Sequence, residues 1–137
     1  MKRRSLFAGA LLPLLKGHAA DLKVDTLTQQ AIGDLKNAQV FLQVVSLPPG
    51  VKSGAHRHPG PVFGYVLDGT IELNIQGSEP RMLHKGEMFY EPDGAVHAGT
   101  RNPSPREEAR FVAMVIGPVG KPAVLPERAL TNSAPKR

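Results

Sequence analysis

Apolar and polar residues alternate in short runs along most of this chain, and each run stops at a turn residue. Val40 to Leu47 is an apolar, β-branched run that ends at Pro48-Pro49-Gly50. Gly54 to His58 is shorter and leads into Pro59-Gly60-Pro61. Phe63 to Leu67 ends at Asp68-Gly69, a hairpin dipeptide, so a hairpin to the next strand is expected. Ile71, Leu73 and Ile75 alternate with Glu72, Asn74 and Gln76, which gives that strand one wet face. Gly77 to Pro80 turns the chain, Arg81 to Leu83 leads to Lys85-Gly86, and Met88 to Tyr90 runs up to Pro92 and the Asp93-Gly94 turn. A polar loop, Asn102 to Glu108, precedes a last clear strand from Arg110 to Ile116. Short strands with turn signals about every 8–12 residues predict an all-β antiparallel sandwich or barrel. Residues 21–35 read two ways. Leu22, Val24, Thr26 and Thr28 alternate as in a strand, while Leu27, Ala31 and Ile32 also suit a short helix. The chain is Pro-rich from Gly117, and 126–137 is expected to be a flexible tail.

Composition agrees with that pattern and narrows the chemistry. The 137 residues suffice for one domain, and 41% hydrophobic content suffices for one core. Fourteen glycines and thirteen prolines, about a fifth of the chain, exclude a long helical bundle. The absence of cysteine excludes disulfides, thiolate metal sites and a cysteine nucleophile. With no tryptophan and seven other aromatics there is no stacking platform for single-stranded nucleic acid.

The formal charge of +5 has a local origin. Lys2, Arg3, Arg4 and Lys16 lie in the first 20 residues, and the remainder holds 13 basic against 12 acidic residues. No nucleic-acid partner is therefore expected. Residues 1–20 read as an export signal: a basic start, an apolar stretch from Leu6 to Leu15, and small residues at Gly17, Ala19 and Ala20. The apolar stretch is too short to span a bilayer, so the mature form is expected off the membrane, in the periplasm. Arg3-Arg4-Ser5-Leu6 resembles the core of a twin-arginine signal, although Lys2 stands where Ser or Thr is usual. An ordinary secretory signal fits as well.

After the leader come His56, His58, His84 and His97. Residues i and i+2 of a strand share a face and lie about 6.6 Å apart along it. His56 and His58 can therefore lean toward one metal ion, at Zn–N distances of about 2.0–2.1 Å, with Arg57 facing outward into solvent. His84, beside the Lys85-Gly86 turn, reads as a surface residue.

The spacing around these histidines resembles the two motifs of the cupin superfamily. The first is Gly-x5-His-x-His-x3or4-Glu-x6-Gly, and Gly50, His56, His58 and Gly69 fall on it. The second is Gly-x5-Pro-x-Gly-x2-His-x3-Asn. Gly86, Pro92, Gly94 and His97 fall on that one, with Asn102 one residue late. The resemblance covers roughly Val40 to Ile116. It implies a double-stranded β-helix, the cupin jelly-roll barrel, over residues 21–125, and frequent homodimerisation through a sheet face. One position departs from the pattern: the motif glutamate is replaced by Val62, or by Phe63 with the longer spacer. Neither can ligate a metal. The implied ligand set is then His56, His58 and His97, which suits a divalent transition metal such as Fe, Zn, Ni, Cu or Mn.

What the resemblance implies for function stays open at this level. Cupin oxygenases with three-histidine iron sites, acetylacetone dioxygenase and cysteine dioxygenase among them, favour a dioxygenase-like enzyme acting on a small organic molecule. A binding or sensing module without catalysis, and a cupin whose degenerate site holds no metal, are the alternatives. Gln43, Val62 and Tyr65 are candidates for the substrate pocket. Val62 shares parity with the histidine pair and is expected to face inward, Gln43 interrupts an apolar strand, and Tyr65 has the opposite parity. Glu91, next to Pro92, is expected on the rim. Phe41, Phe63, Phe89, Phe111 and Met114 are expected in the core, and no residue is assigned as a catalytic acid or base.

Overall fold

The computed structural model describes residues 22–31 and 35–127. The expected export signal at 1–20 and positions 128–137 of the expected tail lie outside them. Among the described residues there are ten strands: β1 (Lys23–Ala31), β2 (Ala38–Leu47), β3 (His56–Arg57), β4 (Val62–Asp68), β5 (Thr70–Ile75), β6 (Arg81–His84), β7 (Met88–Glu91), β8 (Val96–Arg101), β9 (Ala109–Pro118) and β10 (Leu125–Pro126). They form two antiparallel five-stranded sheets, ordered β1-β2-β9-β4-β7 and β10-β3-β8-β5-β6.

Burial follows the strand period of two, because successive side chains point to opposite faces. On β4 the buried residues are Val62, Gly64 and Val66, with Phe63 and Tyr65 exposed between them. On β9 the buried set is Ala109, Phe111, Ala113 and Val115. The inner faces enclose one cluster that includes Leu47, Val66, Ile71, Leu73 and Phe89. Each such fully buried side chain contributes roughly 1.5–3 kcal/mol. Phe89 and Phe111 pack edge to face, with ring centroids 5.8 Å apart. Gly64 lies under the Phe89 ring, and a β-carbon there would fall inside it. That glycine sets how closely β4 and β7 approach the aromatic core.

Several expectations are corrected. The segment with two readings is a strand: β1 pairs antiparallel with β2, from Lys23↔Ser46 to Ala31↔Gln39. Asp68-Gly69 does not close a hairpin. It is a corner between sheets, since β4 and β5 belong to different ones. Gly69 takes φ +73° there, and the β4–β9 ladder slips between Val66 and Asp68. Pro126, expected in the tail, instead pairs with His56 in β10. Phe63 and Met114 are not core. Phe63 is exposed on the outer face of the first sheet, and Met114 is partly buried on that same face. Asn102 is wholly buried, and its amide donates to the carbonyls of Leu47 (2.9 Å) and Glu107 (2.7 Å), so it anchors a loop.

Candidate metal centre

β3 is two residues long, yet it is held on both sides. It pairs with β8 through His56↔His97 and with β10 through Pro126↔His56. The first ladder sets the third histidine directly opposite the first. Arg57 points away from the cluster, as its parity requires, but it is half-buried rather than solvated: its guanidinium donates to the Gly94 carbonyl. His56, His58 and His97 converge, with one ring nitrogen from each lying within 4.8 Å of the others. His97 is only 4% exposed.

Hydrogen bonds fix two of the rings. His56 Nδ1 donates to the Gly54 carbonyl at 2.9 Å, and His58 Nδ1 donates to the Ala123 carbonyl at 2.7 Å. A carbonyl can only accept, so each ring carries its proton on Nδ1 and leaves Nε2 as a bare electron pair. Those two Nε2 atoms face each other at 3.2 Å. On the third ring, Nε2 contacts Thr100 Oγ1 at 2.8 Å, and Nδ1 is buried with no hydrogen-bond partner among the described residues. Burial keeps two of the rings neutral: it lowers His58 to about 4 and His97 to about 3.

Glu91 is the site residue that the sequence reading misplaced. It ends β7, is 2% exposed and faces the cluster rather than the rim. Its Oε1 lies 3.3 Å from His97 Nδ1, and its Oε2 lies 3.5 Å from His58 Nε2. Burial raises it to about 7. Strand parity carried the signal: Phe89 is core, so Glu91, two residues on, shares its inward face.

A cavity of about 360 Å³ opens onto this cluster. Its walls are mainly apolar and include Val45, Phe89, Phe111 and Ala113, with Leu22 and Val24 contributed by β1. Two of the pocket candidates line it, Val62 and Gln43, and Gln43 Nε2 donates to Thr26 Oγ1 at 3.1 Å. Tyr65 does not. It is 49% exposed on the opposite face of β4, because its parity is that of Phe63. His84 is exposed and contacts Thr70 Oγ1.

The family model described as "Cupin domain" matches residues 43–115. The chain belongs to the cupin family. It is 32% identical over 96 residues to oryzines biosynthesis cluster protein J of Aspergillus oryzae, covering 67% of this cupin and 49% of that protein. It is 32% identical over 84 residues to dimethylsulfoniopropionate lyase DddQ of Ruegeria pomeroyi, covering 61% of this chain and 39% of the lyase. The chain thus spans less than half the length of either relative. Among solved structures, a conserved protein with a double-stranded β-helix domain from Klebsiella pneumoniae matches with TM-score 0.60 at 23% identity, over 76% of this chain and 84% of that one. The DddQ crystal structure matches with TM-score 0.55 at 27% identity, over 63% of this chain and 42% of that one. The two sheets are accordingly those of a double-stranded β-helix.

The donors of this cupin fit the divalent metal that its family implies. Two Nε2 atoms facing each other at 3.2 Å, on rings that both donate through Nδ1, are a ready pair of donors for a cation between them. His97 Nδ1 and Glu91 Oε2 are buried and without hydrogen-bond partners among the described residues. Native proteins seldom leave such groups orphaned unless an ion or water completes them.

Proposed function

We propose that this cupin is a metal-dependent enzyme acting on a small, largely apolar organic molecule. The observation that carries the reading is the meeting of three oriented imidazoles with an apolar cavity of about 360 Å³. His56, His58 and His97 would hold the metal. A bound divalent metal supplies a Lewis-acid or redox centre with positions left for substrate or water. The chain's own residues do the rest. The Gly54 and Ala123 carbonyls fix the tautomers of two imidazoles. Val45, Phe89 and Phe111 give the cavity its apolar wall, and Gln43 is a polar group on that wall that can orient a ligand.

Dioxygenation is the reaction we place first, supported by the histidine-rich donor set. A lyase is the second reading, supported by similarity to a protein named dimethylsulfoniopropionate lyase. Metal analysis of the purified protein is expected to give about one divalent ion per chain. Oxygen uptake by the Fe(II)-loaded protein with a panel of diketones, thiols and phenols separates the readings. Turnover without oxygen consumption would select the lyase, and metal binding without any turnover would leave a sensing module.

We also propose that residues 1–20 direct export to the periplasm and are removed, and that the mature domain pairs as a homodimer. The first rests on the basic and apolar order of those residues and is checked by N-terminal sequencing of protein from fractionated cells. Among the described residues no helix is long and apolar enough to cross a membrane. The dimer is supported by Phe63, Tyr65, Met88 and Tyr90, all exposed on the outer face of one sheet. Sedimentation of the mature protein checks it.

A further inference from the structure

We propose that Glu91 is the carboxylate ligand of this site, carried across the β4–β7 ladder from the position that Val62 occupies. The proposal rests on the metal-binding reading above and adds a fourth donor to it. Val62 and Glu91 are direct partners in the antiparallel register of β4 and β7. Both point inward, at 1% and 2% exposure. Directly opposed residues hold their β-carbons about 4.5–5.5 Å apart, so a side chain from either can reach the same point in the barrel. The chain has an apolar residue where the first motif has its acid, and an acid where that residue's cross-strand neighbour stands.

The surroundings of Glu91 leave this role as the one that satisfies it. Its two oxygens face two different imidazoles, at 3.3 and 3.5 Å. Four donors at about 2.0–2.1 Å around a tetrahedral metal lie about 3.4 Å apart, which is this spacing. Oε2 is buried and accepts no hydrogen bond among the described residues. A divalent cation at this point would meet that oxygen and would coordinate the imidazole nitrogens as well. The carboxylate lowers the net charge of the loaded site from +2 to +1, which favours retention of the harder divalent ions over a purely imidazole set.

The test uses the full mature chain, stripped of metal and titrated with Co(II) and with Zn(II) against a competing chelator. Glu91→Gln is expected to weaken both ions at least about 10–100-fold and to change the visible Co(II) spectrum. The exchange Val62→Glu with Glu91→Val is expected to recover most of the affinity. In the unaltered protein, the infrared difference between loaded and metal-free forms is expected to contain a shifted carboxylate stretch, a readout that does not depend on any variant folding. Wild-type affinity and an unchanged Co(II) spectrum in Glu91→Gln would overturn the assignment while leaving the three-histidine site standing. Failure of the wild-type chain to bind either ion would overturn both.

Discussion

Strands β4 and β7 present two unlike surfaces on alternate residues of the same backbone. Their inward positions are Val62, Gly64, Phe89 and Glu91; their outward ones are Phe63, Tyr65, Met88 and Tyr90. The inward set is tightly matched: Gly64 yields to the Phe89 ring, and Val62 lies opposite Glu91. The outward set is large and apolar and forms its own pairs, with the Phe63 and Tyr90 rings 5.1 Å apart. Hydrophobicity alone does not tell the two faces apart. What differs is the tolerance for volume and charge. The inner face surrounds donor atoms at fixed spacing, whereas the outer face needs only another apolar surface to cover it.

Substitutions should separate the faces. His97→Ala removes one of the three proposed ligands and is expected to weaken metal binding by more than about 100-fold, read by chelator competition, since even supporting residues cost 10–100-fold. Gly64→Ala forces a β-carbon into the Phe89 ring and is expected to cost about 1–3 kcal/mol in urea unfolding. On the outer face, Phe63→Glu and Tyr65→Glu are expected to convert the proposed dimer to monomer in sedimentation. Metal affinity should stay within about twofold, and monomer stability within about 0.5 kcal/mol. A loss of metal in either outer variant would break the comparison.

Acid sharpens the same contrast, because the titrating groups are on the inside. His58 and His97 sit near 4 and 3 when folded, against 6.5 when free. Between pH 6.5 and 4 the unfolded chain takes up protons that the folded one refuses, so their contribution falls as pH falls. Glu91 works in the opposite direction. Its folded value of about 7 lies above its ordinary 4.5, so its contribution is present below pH 4.5 and lost as pH rises toward 7. Two imidazoles outweigh one carboxylate, and the metal-free protein is expected to be less stable at pH 5 than at pH 7 in urea titrations. Glu91→Gln removes the opposing effect and should make that loss steeper.

The barrel was legible because alternation and turn residues recur at strand spacing, and the three clustered histidines because their spacing to glycine and proline is specific. β8 was harder to see: Val96–Arg101 mixes His97, Gly99 and Thr100 with little alternation, and its strand character comes from pairing with β3 and β5. β10 was hidden by its proline, which sits at the end of a two-residue strand. Glu91 was misplaced because proximity to Pro92 was weighed above the parity set by Phe89. Tyr65 was the reverse case, since its parity already pointed away from the cavity and the structure puts it there.

His58 is held by a carbonyl 65 residues further along the chain, at Ala123, just before β10 runs beside β3. The acceptor that orients this imidazole is therefore synthesised well after the ring itself. A nascent chain halted before residue 123 could build most of both sheets and still leave that ring free to turn. Orientation of that ring is thereby tied to synthesis of the segment around Ala123.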